Sequence, residues 1–259
     1  MKKAIKKVLG GLGIEVIVHK KKSKKSSKLK LHDTASGKYY LPEEAHEDIV
    51  ANTIIANGIF DSEIVDWARK FITPGSTALD IGANYGQMTV LFSKMVGENG
   101  KVFSFEADDF IFDVLSKNIA VNNCLNVTPV FGAVHNVADE VLVFPEQDFE
   151  RFGTYGSYGI DYNKTKTGRE VRTLTIDGLK LEDKISFIKI DVQGGDLFAL
   201  QGAVETIKKN KMPILFEFEY LFQDDMHLDF QEYVDFVQTI GYKFERVING
   251  QNYLIVPKK

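Results

Sequence analysis

Apolar residues follow two rhythms along this chain. Nearly continuous apolar runs at 77–80, 101–107, 126–134, 186–192 and 213–219 read as buried strands. Between and around them, 61–71, 86–96, 109–122, 195–209 and 229–240 carry apolar residues every three or four positions and read as amphipathic helices. Helix 61–71 shows the pattern well: Ile64, Val65, Trp67, Ala68 and Phe71 share a face, Asp61 is placed to cap its start, and basic residues gather at its end. Strand and helix alternate, which predicts an open α/β sheet with parallel strands joined by helical crossovers. At the end of the chain, 242–247 and 252–257 flank Asn249-Gly250, a turn signal that predicts an antiparallel hairpin.

One part breaks the rhythm. Strand-like pieces at 140–144 and 170–174 flank 145–169, a segment rich in glycine and polar residues that also holds Phe149, Phe152, Tyr155, Tyr158 and Tyr162. Irregular segments of this length usually serve as lids or binding surfaces. A connection that leaves the third strand and returns before the fourth passes the carboxyl end of the sheet, where ligands bind. The aromatics either stack on a ligand there or cover the sheet.

The candidate chemistry begins at TALDIGANYGQ, where the first strand ends in Asp80 and Gly82, Ala83, Asn84 and Gly86 form the turn into a helix. Glycines at that place let backbone approach a ligand closely. The spacing is not G-x-G-x-x-G and no Gly-Lys-Ser/Thr follows, so neither a dinucleotide nor a triphosphate is indicated. An acid at the strand end repels a pyrophosphate and attracts a sulfonium or ammonium. The second strand, KVFSFEA, ends in Glu106 and Ala107, and a carboxylate there can accept both hydroxyls of a ribose. Together these residues outline a pocket for S-adenosylmethionine. Past the third strand, Gly132 and Ala133 offer an adenine only backbone groups and a flat apolar contact.

Charge changes the picture at the amino terminus. The first thirty residues hold eleven lysines and one glutamate, which leaves 21 basic and 35 acidic residues beyond them and hides a basic head behind a net charge of −4. A lysine run of this kind is a solvated tail or, in the sharper reading, a peripheral attachment to an anionic membrane. It lacks the arginines and aromatics of a nucleic-acid surface, so no specific nucleic acid is expected. Its apolar pieces are too short to span a bilayer, and no small-residue cleavage site follows them. Residues 1–37 are therefore read as an extension and 38–259 as one domain. Cys124 alone excludes an intramolecular disulfide and suits a reducing, cytoplasmic setting.

The stretches LDIGANYGQ, FSFEAD, TLTIDGL, FIKIDVQGGDLFALQGA and PILFEFE resemble the FkbM-type methyltransferases over residues 77–219. The resemblance implies a seven-stranded, Rossmann-like class I methyltransferase sheet, mostly parallel with an antiparallel C-terminal hairpin. It also implies S-adenosylmethionine as donor and a hydroxyl on a sugar, glycan or small natural product as acceptor. Two departures stand out. Ala107 replaces the proline that usually follows the second-strand glutamate, and Gln193 replaces the glutamate of Asp-Val-Glu-Gly, removing a carboxylate near the presumed active site.

On this reading Asp80, Gly82, Ala83, Asn84, Gly86, Glu106, Ala107 and Ala133 surround the donor, and Asp191, ending the fourth strand, lies between donor and acceptor. Asp191 is the first candidate for the base, with Glu217 beside it on the fifth strand; His135 and His227 are the other titratable candidates. No His/Asp spacing is specific enough for a metal. A nicotinamide oxidoreductase would need the missing glycine and no acid at Asp80, whereas a non-catalytic adenosyl-binding module would keep the donor residues without the acceptor side.

Overall fold

A computed structural model describes residues 28–145, 154–155, 159–161, 167–220 and 228–259. Two short strands open it, β1 (Leu29–Asp33) and β2 (Lys38–Pro42), followed by helices α1 (Ile49–Ile55) and α2 (Ser62–Phe71). The alternating part comprises β3 (Thr77–Ile81), α3 (Gln87–Val96), β4 (Lys101–Glu106), α4 (Asp109–Val121) and β5 (Val127–Phe131). After β6 (Ala133–Val134), β7 (Val141–Pro145) and β8 (Gly168–Leu174) come β9 (Ile185–Ile190), α5 (Asp196–Gln201), α6 (Val204–Asn210) and β10 (Ile214–Glu217). The chain then forms α7 (Phe230–Thr239), β11 (Tyr242–Ile248) and β12 (Asn252–Pro257).

The main sheet has seven strands in the order β5-β4-β3-β9-β10-β12-β11. Its first five are parallel, while β12 runs antiparallel to both β10 and β11. This is the expected sheet, with the order reversing between β3 and β9, where open α/β sheets hold their ligands. Period two divides the strands between two cores. Ala78, Val102, Phe187 and Leu215 face α2 and α3, packing on Ile64, Val65, Ala68 and Phe92. Leu79, Phe103, Ile188, Ile214 and Phe216 face the other way, onto Leu197, Leu200, Ile207, Tyr233 and Val237.

The structure corrects several boundaries. The third strand, expected at 126–134, stops at Phe131, and β6 joins β7 and β8 in a separate three-stranded sheet. Gly132 makes that break: its N–H bonds Glu106 O at 3.0 Å, and a Cβ there would lie 2.9 Å from Leu174 Cδ2. The helix expected at 195–209 is two helices, because the His135 backbone presses on Gly202, where a Cβ would meet His135 O at 2.0 Å. The start of the chain also has more structure than the pattern suggested. Strand β1 lies before residue 37, where the sequence reading ends the extension, and pairs with β2 beyond it. Asn118 of α4 fastens this hairpin to the domain, accepting from Tyr40 N at 2.6 Å and donating to Tyr85 O at 2.8 Å. The lysines of residues 1–27 lie outside the described residues. Among the described residues no helix is long and apolar enough to cross a membrane.

Candidate functional site

The turn after β3 is held from three sides. Gly82 and Ala83 both donate backbone N–H to Phe105 O, at 3.0 and 2.9 Å, so the turn leans on the end of β4. Gly82 has φ 78°, and a Cβ on it would stand 1.7 Å from Asp191 O, so only glycine admits this approach of three backbones. Gly86, at φ 84°, starts α3, and its missing side chain makes room for Leu115 of α4. Asn84 also has positive φ; its N–H donates to Glu106 Oε2 at 2.9 Å, and its Oδ1 is enclosed without a hydrogen-bond partner. Among the described residues nothing satisfies that polar atom.

Glu106 ends β4 with its carboxyl in a ring of backbone donors. Oε1 accepts from Ala107 N at 2.8 Å and Asp108 N at 2.9 Å, and Oε2 takes the Asn84 bond. Burial pushes its pKa up to about 7 despite those donors. Ala107 and Ala133 meet in one apolar cluster beside it, packed with Leu142, Phe144 and Val171. Arg169 of β8 pairs with Asp108 and Asp109 at the start of α4 and so ties the small sheet to this corner.

Asp80 is placed differently from the expectation that it meets a cationic ligand. Its side chain is wholly enclosed: Thr89 Oγ1 donates to Oδ2, and Oδ1 faces Lys189 Nζ at 3.8 Å. The cation that Asp80 attracts is thus part of the protein. Lys189 sits opposite Asp80 in the β3–β9 register and reaches Gly82 O at 2.8 Å and Asp191 Oδ2 at 3.0 Å. Burial alone would lower its pKa, but Asp191 and Asp80 outweigh it and hold the ammonium above the ordinary lysine range. Sequence reading missed this residue because SFIKIDV passes for a plain apolar strand. The available signal was the lysine itself, two positions before an acid and therefore on the same side of the strand.

Asp191 and Glu217 are brought together as expected. Gln193 joins them, its Nε2 donating to Asp191 Oδ1 at 3.3 Å and Glu217 Oε2 at 3.1 Å. Burial would raise Asp191, but Lys189 outweighs it and holds the carboxyl below its usual range. Glu217 is pushed well up, by burial first and then by Asp191 and Asp196. Asp196, at the first turn of α5, is buried, with one oxygen unpartnered and a pKa pushed up to about 7 by burial and Asp191. It stands in the quoted IDVQGGD run but carries no role in the sequence reading.

The two histidines fare otherwise. His135 is not part of this group: its ring packs 4.7 Å from Phe198, its Nδ1 accepts from Val137 N at 3.3 Å, and burial lowers its pKa. His227 lies outside the described residues, as do Phe149, Phe152, Tyr158 and Tyr162. Two described points of the 145–169 connection touch the site. Tyr155 stacks on Phe110 at 5.2 Å and meets the glycine turn's Tyr85 edge-on at 6.4 Å, and its N–H donates to buried Asp48 at 2.8 Å. Tyr85 OH donates to the same Asp48 oxygen at 3.0 Å. Gly159 packs against Gln193, where a Cβ would meet Gln193 O at 2.5 Å. These contacts put Tyr155 and Gly159 at the carboxyl end of the sheet. A surface cleft lined by Lys94, Lys101, Asn126 and Asp183 lies at the opposite end, away from every group described above. Among the described residues no group of three or more His, Cys, Asp or Glu side chains is arranged to hold a metal ion.

Comparison with known proteins finds relatives of several kinds. A 77-residue stretch, 30% of this chain, is 30% identical to the protein-L-isoaspartate O-methyltransferase of Caenorhabditis elegans and spans about a third of that protein, 34%. Among solved structures, the methyltransferase FkbM of Methylobacillus flagellatus aligns with a TM-score of 0.45 at 14% identity, over 74% of this chain and 49% of that one. A methyltransferase of Pyrococcus furiosus aligns with a TM-score of 0.45 at 16% identity, over 80% of this chain and 94% of that one. The family model of the methyltransferase FkbM domain matches residues 80–244, from Asp80 within β3 into β11, and the chain accordingly belongs to the FkbM methyltransferase family.

Proposed function

We propose that this protein transfers a methyl group from S-adenosylmethionine to a hydroxyl oxygen of a sugar, glycan or small natural product. The observation that carries the reading is the convergence at the β3–β9 switch point. There Asn84 of the glycine turn bonds Glu106, Gln193 reaches Glu217 beside Asp191, and Gly82 touches the Asp191 backbone.

The residues present fit the donor. Asn84 Oδ1 is a polar atom left unpaired, and Glu106 Oε2 carries a single protein hydrogen bond, which leaves lone-pair capacity for ribose hydroxyls. Ala107 and Ala133 supply a flat apolar contact beside Glu106. When bound, S-adenosylmethionine supplies an electrophilic methyl on a sulfonium, so little activation is asked of the protein. What the chain contributes is positioning and a place for the acceptor's proton. Asp191 suits the second task. About a quarter of its side chain is exposed, whereas Lys189 beside it is 5% exposed, and that lysine keeps the carboxylate ionised. A hydroxyl lying against Asp191 hydrogen-bonds to it and gives up its proton there as the new bond to oxygen forms.

Asp191→Asn tests the assignment with methyl-labelled donor and a panel of neutral glycosides. The rate is expected to fall by about 100-fold or more, as for loss of a general base, while donor affinity changes little. Loss of donor binding with an unchanged rate in the bound complex would move Asp191 to the donor side.

A further inference from the structure

The acceptor wall holds more carboxyl groups than its lysine can balance. Asp61, Asp80, Asp196, Glu217 and Glu219 all lie within electrostatic reach of Asp191, and Lys189 is the cation set among them. Such a group is tolerated only if protons and hydrogen bonds are distributed within it. The two oxygens of Asp191 are divided: Oδ2 goes to Lys189 at 3.0 Å and Oδ1 to the Gln193 amide at 3.3 Å. The same amide nitrogen reaches Glu217 Oε2 at 3.1 Å. A primary amide has two hydrogens on one nitrogen, so one side chain serves both carboxyls. Its backbone is fixed at φ 53° and packed beneath Gly159, which sets where the side chain points.

We propose that Gln193 is a positioning residue whose amide holds Asp191 and Glu217 side by side as a pair sharing one proton, leaving Asp191 to receive the proton of the acceptor. The pair is a feature of the folded protein; only its use in catalysis rests on the methyl-transfer reading. The unlike surroundings agree with it, since Lys189 holds Asp191 ionised while burial and Asp191 keep Glu217 protonated. A glutamate at 193 would donate nothing when ionised and at most one hydrogen bond when protonated, and would add another carboxyl to the group. Glutamine at this position is thus a working part of the site rather than a lost acid.

Carbon-13 NMR titration of the side-chain carboxyls of the full chain tests this. In the wild type, the Asp191 carbon is expected to keep its ionised shift and Glu217 its protonated shift from about pH 5 to about pH 8. Gln193→Met removes both hydrogen bonds at similar volume and is expected to raise the Asp191 midpoint by about one unit. Should that variant not fold, Gln193→Gly, which accepts φ 53° freely, carries the same expectation. An unmoved Asp191 midpoint in the folded variant, or ordinary titration of both carboxyls in the wild type, would overturn the proposal. Calorimetry with S-adenosylhomocysteine on the same samples separates the two readings. A wild type that binds none of it while the titration behaves as expected removes the methyl-transfer reading and leaves the pair standing.

Discussion

Glycine 82 shows how much one residue can fix. Its carbonyl receives Lys189, its N–H bonds Phe105 O, and its bare α-carbon lies against the Asp191 backbone. Gly82→Ala would need both a positive φ and a space that does not exist, so the expected result is a loss of melting temperature together with loss of donor binding. Glu106 makes a second residue-scale prediction. Burial holds its pKa at about 7, above the ordinary glutamate value of 4.5, so its contribution to stability is complete below about pH 4.5 and is lost as pH rises through 7. Relative to Glu106→Gln, the wild-type melting temperature is therefore expected to decline across that interval; a constant difference would show that the carboxyl is not held as described. At this scale the sequence pointed to the glycine turn and to Glu106, because glycines and strand-end acids are visible in one dimension. Lys189 and Gln193 act on Asp191 but also on partners from other strands, Gly82 and Glu217, and no local pattern names those distant partners.

Elements were legible where a single periodicity governs them. Helix α7 is an example: Asp229 accepts from Gln231 N, and Glu232 reaches back to Asp229 N at 3.0 Å in a full capping box. Asp229→Ala is expected to cost about 1 kcal/mol in chemical denaturation, with the enzyme otherwise intact. The same reasoning failed for α2, where Asp61 occupies the cap position at φ 48° and makes no capping bond. It failed also at Gly132 and Gly202, since these breaks are imposed by distant neighbours, Leu174 and the His135 backbone, and leave the local apolar pattern undisturbed. The β1–β2 hairpin stayed hidden because its strands are short and its anchor, Asn118, lies 78 residues from Tyr40 in the sequence.

The whole molecule follows from alternation. Once strands and helices take turns, right-handed crossovers and the closing hairpin leave little freedom in strand order, and the site must fall where that order reverses. What alternation cannot place is the basic head, residues 1–27, which lies outside the described residues. Removing those residues is expected to leave folding and donor binding unchanged while abolishing any salt-sensitive co-sedimentation with anionic vesicles, at about 1 kcal/mol for each lysine near the surface. Full-length protein that ignores such vesicles at low salt would reduce the run to a solubilising tail. The central claim, that the carboxyl end of β3 and β4 binds the adenosyl donor, is tested most directly by calorimetry with S-adenosylhomocysteine on wild type and Glu106→Ala. One site per chain is expected in the wild type, weakened about tenfold or more in the variant, since a hydrogen bond to a charged group contributes about 1.5–3 kcal/mol. Equal affinity in both proteins, or tight NADH binding with no response to the adenosyl compound, would contradict the account.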